Sequence, residues 1–378
     1  MKRSSTSIYI AVLLIAAFIF SFLTIYAFGE HKSGGFSVSA KSAVLYQPEI
    51  DNFVYSKNAD ARLPMASTTK IMTALVALEN SDLGETVEVD DSAIGTEGSS
   101  AYLRQGDALT MEELLYALLL QSANDAAVAI ACHIGGDVEG FSALMNDKAC
   151  ELGLTDTHFT NPHGLDSEEH YTTAKELSLI AAEALKNPTF RKIASTYKKT
   201  FATEDRTRTY VNHNKLLRLY DGCIGVKTGF TKKSGRCLVG AAQKDGLTFI
   251  TVTLDAPSDW SDHKKMLDYG FESLEKITLA SGFDHMYKIP LIDGESEYII
   301  VANTEGAEMI AERTEREITE HVRLIKYGIA PINRGEKLGE IIYTESGKEV
   351  ARIPLVALEN VNKKKDKGFF EKILSIFD

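Results

Sequence analysis

Ser67-Thr68-Thr69-Lys70 sets a hydroxyl and an amine three residues apart, a spacing that puts both on one face of a helix. The pair is a nucleophile beside a base. A serine hydroxyl is inert at neutral pH unless something accepts its proton, and a lysine can do so when burial or a neighbouring cation lowers its pKa. The free backbone N–H groups of a helix N-terminus at Ser67 also suit a developing oxyanion. The plainer alternative is a Ser/Thr cap followed by a solvated lysine, and an isolated S-x-x-K does not outweigh it.

Two further stretches complement this pair. Ser122-Ala123-Asn124, by itself an ordinary helix stop, offers a second hydroxyl to pass a proton to a departing amine and an amide to orient a peptide bond. Lys227-Thr228-Gly229 offers a cation and a hydroxyl for a terminal carboxylate, with a glycine that admits a close backbone. Each tripeptide is weak evidence. The three in this order, each on the element its chemistry needs, are hard to obtain by chance.

The elements that position them can be read from periodicity. Residues 42–55 contain two short apolar runs around a Pro, Asp and Asn-bearing turn, a β-hairpin pattern. Residues 71–78 have apolar side chains at helical spacing and follow directly from the polar Ser67-Thr68-Thr69. A second helix starts at Thr110, with Glu113 as its capping-box partner, and helices dominate to about Leu185. Residues 222–229, 237–242 and 247–254 then read as sheet strands. Strands, helices, then strands imply an α/β sandwich whose sheet draws on both ends of the domain, with a helical lobe between and a cleft at the lobes' junction. From about Leu279 short strands take over and end in a hairpin across Ser346-Gly347, the pattern of a small all-β domain.

The 378-residue chain is 44% hydrophobic, enough for two folded domains, and its net charge of -12 argues against a nucleic-acid partner. Lys2 and Arg3 precede an apolar run from Ile8 to Phe28, an export signal with small residues at Ala27 and Gly29 that favour cleavage after Gly29. The run exceeds the roughly 7–15 residues of a signal core and approaches the roughly 20 that span a bilayer, so an uncleaved anchor is the alternative. Cys132, Cys150, Cys223 and Cys237 show no C-x-x-C spacing. They are expected to be buried structural residues, with a Cys223–Cys237 disulfide across a hairpin as the alternative. His158, His163 and His170 lie close in sequence without an H-E-x-x-H or H-x-H pairing, and neither a metal nor a cofactor is expected.

With these residues in view, the chain resembles the serine penicillin-recognising enzymes, which share S-x-x-K, S-x-N and K-T-G motifs. It is most similar to the low-molecular-mass penicillin-binding proteins that act as D-alanyl-D-alanine carboxypeptidases. Pro64-Met65-Ala66-Ser67, Ser122-Ala123-Asn124-Asp125-Ala126-Ala127, Thr160-Asn161-Pro162-His163-Gly164-Leu165, Lys227-Thr228-Gly229-Phe230-Thr231 and Ala330-Pro331-Ile332-Asn333-Arg334-Gly335 carry the resemblance. It implies a β-lactamase/transpeptidase-like sandwich over residues 37–277, a small β-domain over 279–360, and a basic linker with an amphipathic helix over 363–378, behind a signal or anchor at 1–29. It further implies Ser67 as acylated nucleophile, Lys70 as its base, Ser122 as proton relay and Asn124 as substrate anchor. Lys227, Thr228 and Gly229 would receive the substrate's C-terminus, and the N–H groups of Ser67 and Phe230 would form the oxyanion hole. The substrate would be a peptidoglycan stem peptide, with β-lactams as inhibitors. The alternatives are a DD-endopeptidase, a non-catalytic wall-binding protein, or a β-lactamase, against which stands the absence of an E-x-x-L-N segment between Asn124 and Lys227.

Phe369, Phe370, Ile373, Leu374, Ile376 and Phe377 form one apolar helical face behind Lys363, Lys364, Lys365 and Lys367. The segment is too short to span a bilayer but suits the headgroup boundary of a membrane, where each lysine contributes about 1 kcal/mol near anionic lipid. Expressed from His31 onward, the protein should float with anionic liposomes when the segment after Val361 is present and stay behind when it is removed. Equal flotation of the two forms would overturn the membrane role.

Overall fold

The computed structural model of the protein describes residues 36–202 and 206–365. The apolar N-terminal stretch and the amphipathic C-terminal segment lie outside the described residues. Internal contacts divide the described residues into two compact units, one within 36–243 together with 248–269 and the other 244–247 together with 270–365.

In the first unit, strand β1 (Ser42–Gln47) is buried along its whole length, as a central strand must be. It turns through Pro48–Ile50 into β2 (Asn52–Lys57). A tight 3₁₀ turn, Ala66–Thr69, leads into helix α1 (Lys70–Asn80), in which every residue from Lys70 to Ala77 is buried. A helix apolar on all sides belongs in a core, and the one charged side chain in that run, Lys70, is the exception to explain.

A small strand pair, β3 (Thr86–Glu88) and β4 (Ala108–Thr110), precedes α2 (Met111–Tyr116). Helices α3 (Asn124–Gly135), α4 (Val138–Glu151), α5 (Ala174–Lys186) and α6 (Pro188–Ser195) complete the helical lobe. Beyond a hairpin, β5 (Lys198–Ala202) and β6 (Thr207–Val211), and the short α7 (Leu216–Leu219), come β7 (Cys223–Thr231), β8 (Gly235–Lys244), β9 (Leu247–Leu254) and α8 (Asp259–Ser273). The five-stranded sheet runs β2-β1-β9-β8-β7, with β1 antiparallel to both β2 and β9 and β7 antiparallel to β8. It is built from both ends of the unit around an inserted helical lobe, as the order of elements implies.

Three local expectations change. Thr110 Oγ1 caps α2 by accepting from the Glu113 N–H at 3.2 Å, but the reciprocal half of the capping box is not made. The Glu113 carboxylate instead accepts from the Tyr210 hydroxyl at 3.2 Å and pairs with Arg208, partners from β6 that outcompete a local backbone donor. The cysteines are all free, and only Cys237 is fully buried, while Cys150 is exposed. Cys223 stands opposite Ala242 and Cys237 opposite Gly229, so strand register keeps that pair from facing each other. Finally, β10 (Leu274–Ala280) pairs with β13 (Ala307–Glu312) and goes with the second unit, whose boundary falls at Gly270 rather than near residue 278.

Among the described residues the second unit is all β apart from the end of α8. Besides the β10 pair with β13 (Ala307–Glu312), it holds β11 (Met286–Ile292), β12 (Tyr298–Ala302), β14 (Ile318–Leu324), β15 (Gly328–Ile329), β16 (Lys337–Glu345) and β17 (Lys348–Ala357) in a sheet ordered β14-β16-β17-β12-β11-β15. Ile289, Ile299, Val301, Ile341 and Leu355 form its core. Ser346 and Gly347 both have positive φ, 49° and 77°, the two-residue hairpin turn whose twist suits the flanking strands.

Candidate active site

The first requirement is a hydroxyl held beside an amine. Ser67 and Lys70 lie at the join of the 3₁₀ turn and α1, where residues i and i+3 eclipse more closely than in an α-helix. Lys70 Nζ is 2.9 Å from Ser67 Oγ. The residue before the nucleophile, Ala66, is buried with φ at +49°, a left-handed conformation that is strained for a residue with a Cβ. Thr69 Oγ1 donates to the Ala66 carbonyl at 2.8 Å, which braces that conformation.

Lys70 is fully buried. Burial drives its pKa well below the ordinary lysine value, the charge of Lys227 adds to the effect, and Asp125 opposes it. Its other neighbours are Asn124 Oδ1 and the His163 carbonyl, each at 2.6 Å. A neutral amine has two protons for those two acceptors and one lone pair, which then faces Ser67. The His163 carbonyl is presented by a loop that Asn161 clasps, its Oδ1 accepting from the Gly164 N–H at 2.7 Å and its Nδ2 donating to the Leu165 carbonyl at 3.0 Å. Gly164 has φ at +89°, and a Cβ there would lie 2.0 Å from the Ala66 carbonyl oxygen, so no other residue fits. The Asn-Pro-His-Gly-Leu stretch therefore reaches Lys70 through its backbone, with the Asn161 side chain holding the loop in place, a role that side-chain reasoning on the sequence does not supply.

Ser122 and Asn124 reach the site through a local distortion. After α2 the chain makes a π-helical turn, Ala117–Gln121, and Ser122 ends it in the left-handed region with φ at 62°. Such turns re-aim side chains next to functional sites. Asn124 then opens α3, with Oδ1 on Lys70 and Nδ2 donating to the Glu97 carbonyl. Next to it, buried Asp125 accepts from Ser100 Oγ at 2.6 Å and from the backbone N–H groups of Ala101 and Leu103 at 2.9 and 3.0 Å. One carboxylate thus fixes the 97–103 segment and also lies in the electrostatic surroundings of Lys70.

Strand β7 brings the third motif. Lys227 is 1% exposed and donates to Ser122 Oγ at 3.0 Å and to the Thr228 carbonyl at 2.8 Å. Burial pushes its pKa down to about 7. A Cβ on Gly229 would lie 3.0 Å from the Ser67 backbone nitrogen and 3.1 Å from Ala66 Cβ. The glycine thus makes room for the nucleophile's own turn, in addition to the substrate clearance expected of it. Phe230 is 65% exposed.

These residues open on a cleft of about 310 Å³ lined by Ser67, Ser99, Ser122, His213, Thr228, Gly229, Phe230, Arg236, Asp259 and Trp260. Ser99, His213, Arg236, Asp259 and Trp260 carry no motif in the sequence. Arg236 lies on β8 opposite Phe230, pairs with Asp259 at 2.9 Å and sits 5.8 Å over the Trp260 ring. Its one sequence signal is its place near the start of the strand after Lys227-Thr228-Gly229: as the second residue of β8 it faces Phe230 across the hairpin. The three clustered histidines do not converge. His158 bonds the Glu169 carbonyl, His163 accepts from Leu165, and His170 bonds Thr69 and Thr160; among the described residues no group of three or more His, Cys, Asp or Glu could hold a metal ion.

Residues 28–258 match the family model of D-alanyl-D-alanine carboxypeptidases. The chain belongs to that family. Residues 275–363 match a second model, the C-terminal domain of penicillin-binding protein 5. The D-alanyl-D-alanine carboxypeptidase DacF of Bacillus subtilis is 33% identical over 336 residues, 86% of each chain. The crystal structure of the D-alanyl-D-alanine carboxypeptidase DacD from Francisella tularensis superposes with a TM-score of 0.64 at 26% identity, covering 90% of this chain and all of that one. The Streptomyces K15 DD-transpeptidase superposes with a TM-score of 0.59 at 36% identity over 62% of this chain and 98% of its own. Serine D-alanyl-D-alanine carboxypeptidase chemistry on peptidoglycan, by way of an acyl-enzyme, is the chemistry of this family.

Ser67→Ala is expected to abolish covalent labelling by a fluorescent penicillin, and persistent labelling would remove Ser67 from the nucleophile's place. Lys70→Arg should slow labelling more than about tenfold although the charge is kept, because an arginine stays protonated and cannot take the Ser67 proton. Lys227→Gln removes a like charge from beside Lys70, which favours the ammonium form. The acid limb of the pH–acylation profile should therefore move to higher pH, and an unmoved limb would mean the two lysines do not couple.

Proposed function

We propose that this carboxypeptidase trims the terminal D-alanine from peptidoglycan stem peptides by acylation of Ser67. The observation that carries the reading is Lys70: an amine buried beside a second cation, 2.9 Å from a hydroxyl that opens on a cleft. Lys70 takes the Ser67 proton as Oγ attacks the carbonyl carbon of the D-Ala-D-Ala bond. The resulting oxyanion accepts hydrogen bonds from the N–H groups of Ser67 and Phe230, a reading supported by the close approach of β7 to the Ser67 backbone at Gly229. The proton then passes by way of Ser122 to the departing nitrogen, the C–N bond breaks, and D-alanine leaves. Water attacks the ester, gives its proton to Lys70, and the Ser67 hydroxyl is restored. A β-lactam follows the same first steps, but its leaving nitrogen stays tethered to the acyl group.

The division of labour between cations differs from what the Lys-Thr-Gly motif alone suggests. Lys227 is enclosed and bonded to Ser122, which suits it to orienting and polarising the proton relay. Arg236 keeps 43% of its side chain exposed beside Thr228 in the cleft, which suits it to the substrate's terminal carboxylate. Asn124, with one Nδ2 proton on Glu97, retains a second for the substrate backbone. The protein acts on the outer face of the cytoplasmic membrane, exported by its apolar N-terminus and attached through its C-terminal segment.

The direct test is release of free D-alanine from a pentapeptide ending in D-Ala-D-Ala by the protein from His31 onward; no release would reject the carboxypeptidase reading. Arg236→Gln should weaken capture of that pentapeptide by about 1.5 kcal/mol, the low end for a charge-assisted bond, and leave a C-terminally amidated analogue unaffected. Lys227→Gln should slow both. Equal losses on the two substrates for Arg236→Gln would return the carboxylate to another group.

A further inference from the structure

His170 is buried at the back of the nucleophile's turn and has no part in the chemistry described above. We infer that it is a positioning residue for acylation, fixing the direction of the Thr69 hydroxyl and through it the strained Ala66 backbone on which Ser67 is mounted.

A backbone N–H can only donate, and the Thr160 N–H points at His170 Nδ1 at 3.0 Å. Nδ1 must therefore be the unprotonated nitrogen, and the ring's one proton sits on Nε2. Nε2 is 2.8 Å from Thr69 Oγ1, so the imidazole donates to a lone pair of that hydroxyl. The single proton of Thr69 is then committed to the Ala66 carbonyl, 2.8 Å away. Donation runs one way, from Thr160 through His170 and Thr69 to Ala66. Its end point is the residue with φ at +49° immediately before Ser67.

The last three links are enclosed: His170 is 2%, Thr69 0% and Ala66 1% exposed. Phe159 lies against the imidazole, ring centroids 5.8 Å apart. Gly164 closes the other side of the Ala66 carbonyl, with no room there for a Cβ. Without the donation from His170, the Thr69 hydroxyl is free to rotate towards the ring and release Ala66. Ser67 then relaxes away from Lys70 and from the cleft, and a misplacement of about 1 Å can slow a reaction about a hundredfold.

Asparagine and glutamine separate the two nitrogens. The carbonyl of His170→Asn lies near Nδ1 and keeps the acceptor for Thr160 but provides no donor to Thr69; the amide of His170→Gln reaches the place of Nε2 and restores that donor. The measurement is the second-order rate of labelling by a fluorescent penicillin, per mole of folded protein, with thermal midpoints recorded in parallel. His170→Asn is expected to label at least about tenfold more slowly, and His170→Gln within about threefold of wild type, at similar losses of thermal stability. Thr69→Val should match His170→Asn, Thr69→Ser should recover most of the rate, and adding His170→Asn to Thr69→Val should slow it no further. Equal rates for His170→Asn and His170→Gln, or multiplying effects in the double variant, would overturn the inference. Should the histidine variants not fold, the valine and serine pair at position 69 decides alone: a Thr69→Val that labels at the wild-type rate overturns it. The inference rests on Ser67 being the nucleophile, whose own failure shows differently, as labelling that survives Ser67→Ala.

Discussion

Two lysine side chains buried in one site are the constraint to which the rest of this catalytic unit answers. Moving an ammonium out of water costs on the order of several kcal/mol even after the surroundings relax, and Lys70 and Lys227 are both enclosed with no carboxylate among the described residues bonded to either amine. The chain meets that cost by letting protons go. Burial lowers both pKa values, and their mutual repulsion lowers that of Lys70 further. The outcome is an amine able to accept a proton where an exposed lysine would hold one. Asp125 pulls the other way from a distance, and because its oxygens are occupied by Ser100, Ala101 and Leu103, it moderates the site without pairing with the base.

A neutral base is useful only if its lone pair meets the hydroxyl, and several departures from regular backbone serve that alignment. Ala66 in the left-handed region, the π-helical turn before Ser122 and Gly164 at positive φ each break a local preference. All three lie around Ser67, Lys70 and Ser122. Strain of this kind persists only where the surroundings over-determine it, and here the helical lobe packed around α1 and α2 provides the rigidity. Leu114, Leu115, Leu118, Leu119 and Leu120 are all fully buried, so the elements that carry the three motifs cannot relax independently.

This division explains what could be read from the sequence. The strand and helix order, the hairpin at Ser346-Gly347 and the three motifs follow from periodicity and residue chemistry, which are local properties. The cap at Thr110 was legible, but the fate of Glu113 was not, because Tyr210 and Arg208 reach it from almost a hundred residues away in the chain. The same holds for the site. Ser67 with Lys70 is a local pattern, whereas the His163 carbonyl on Lys70 depends on how a loop folds back over the 3₁₀ turn. Arg236 carries no motif of its own. Its place in the cleft follows from the β7–β8 register, which sets it opposite Phe230. The exposure of Cys150 is not legible in spacing either, because burial and register decide what a thiol meets.

The contrast between Lys227 and Arg236 shows how one cleft can hold cations for different tasks. A guanidinium keeps its proton in any protein environment, so enclosing it beside Lys70 would add a permanent charge to the place where a neutral base is needed. A lysine can be enclosed because its pKa moves, and Lys227, pushed down to about 7 by burial, is enclosed against the Ser122 hydroxyl. Arg236 stays at the rim, partly neutralised by Asp259 and backed by Trp260, where water still solvates it. On the proposed function its charge meets an arriving carboxylate while solvent screens it from Lys70. That proposal keeps the chemistry of acylation and the capture of a free C-terminus on separate cations, each at the depth its own protonation behaviour allows.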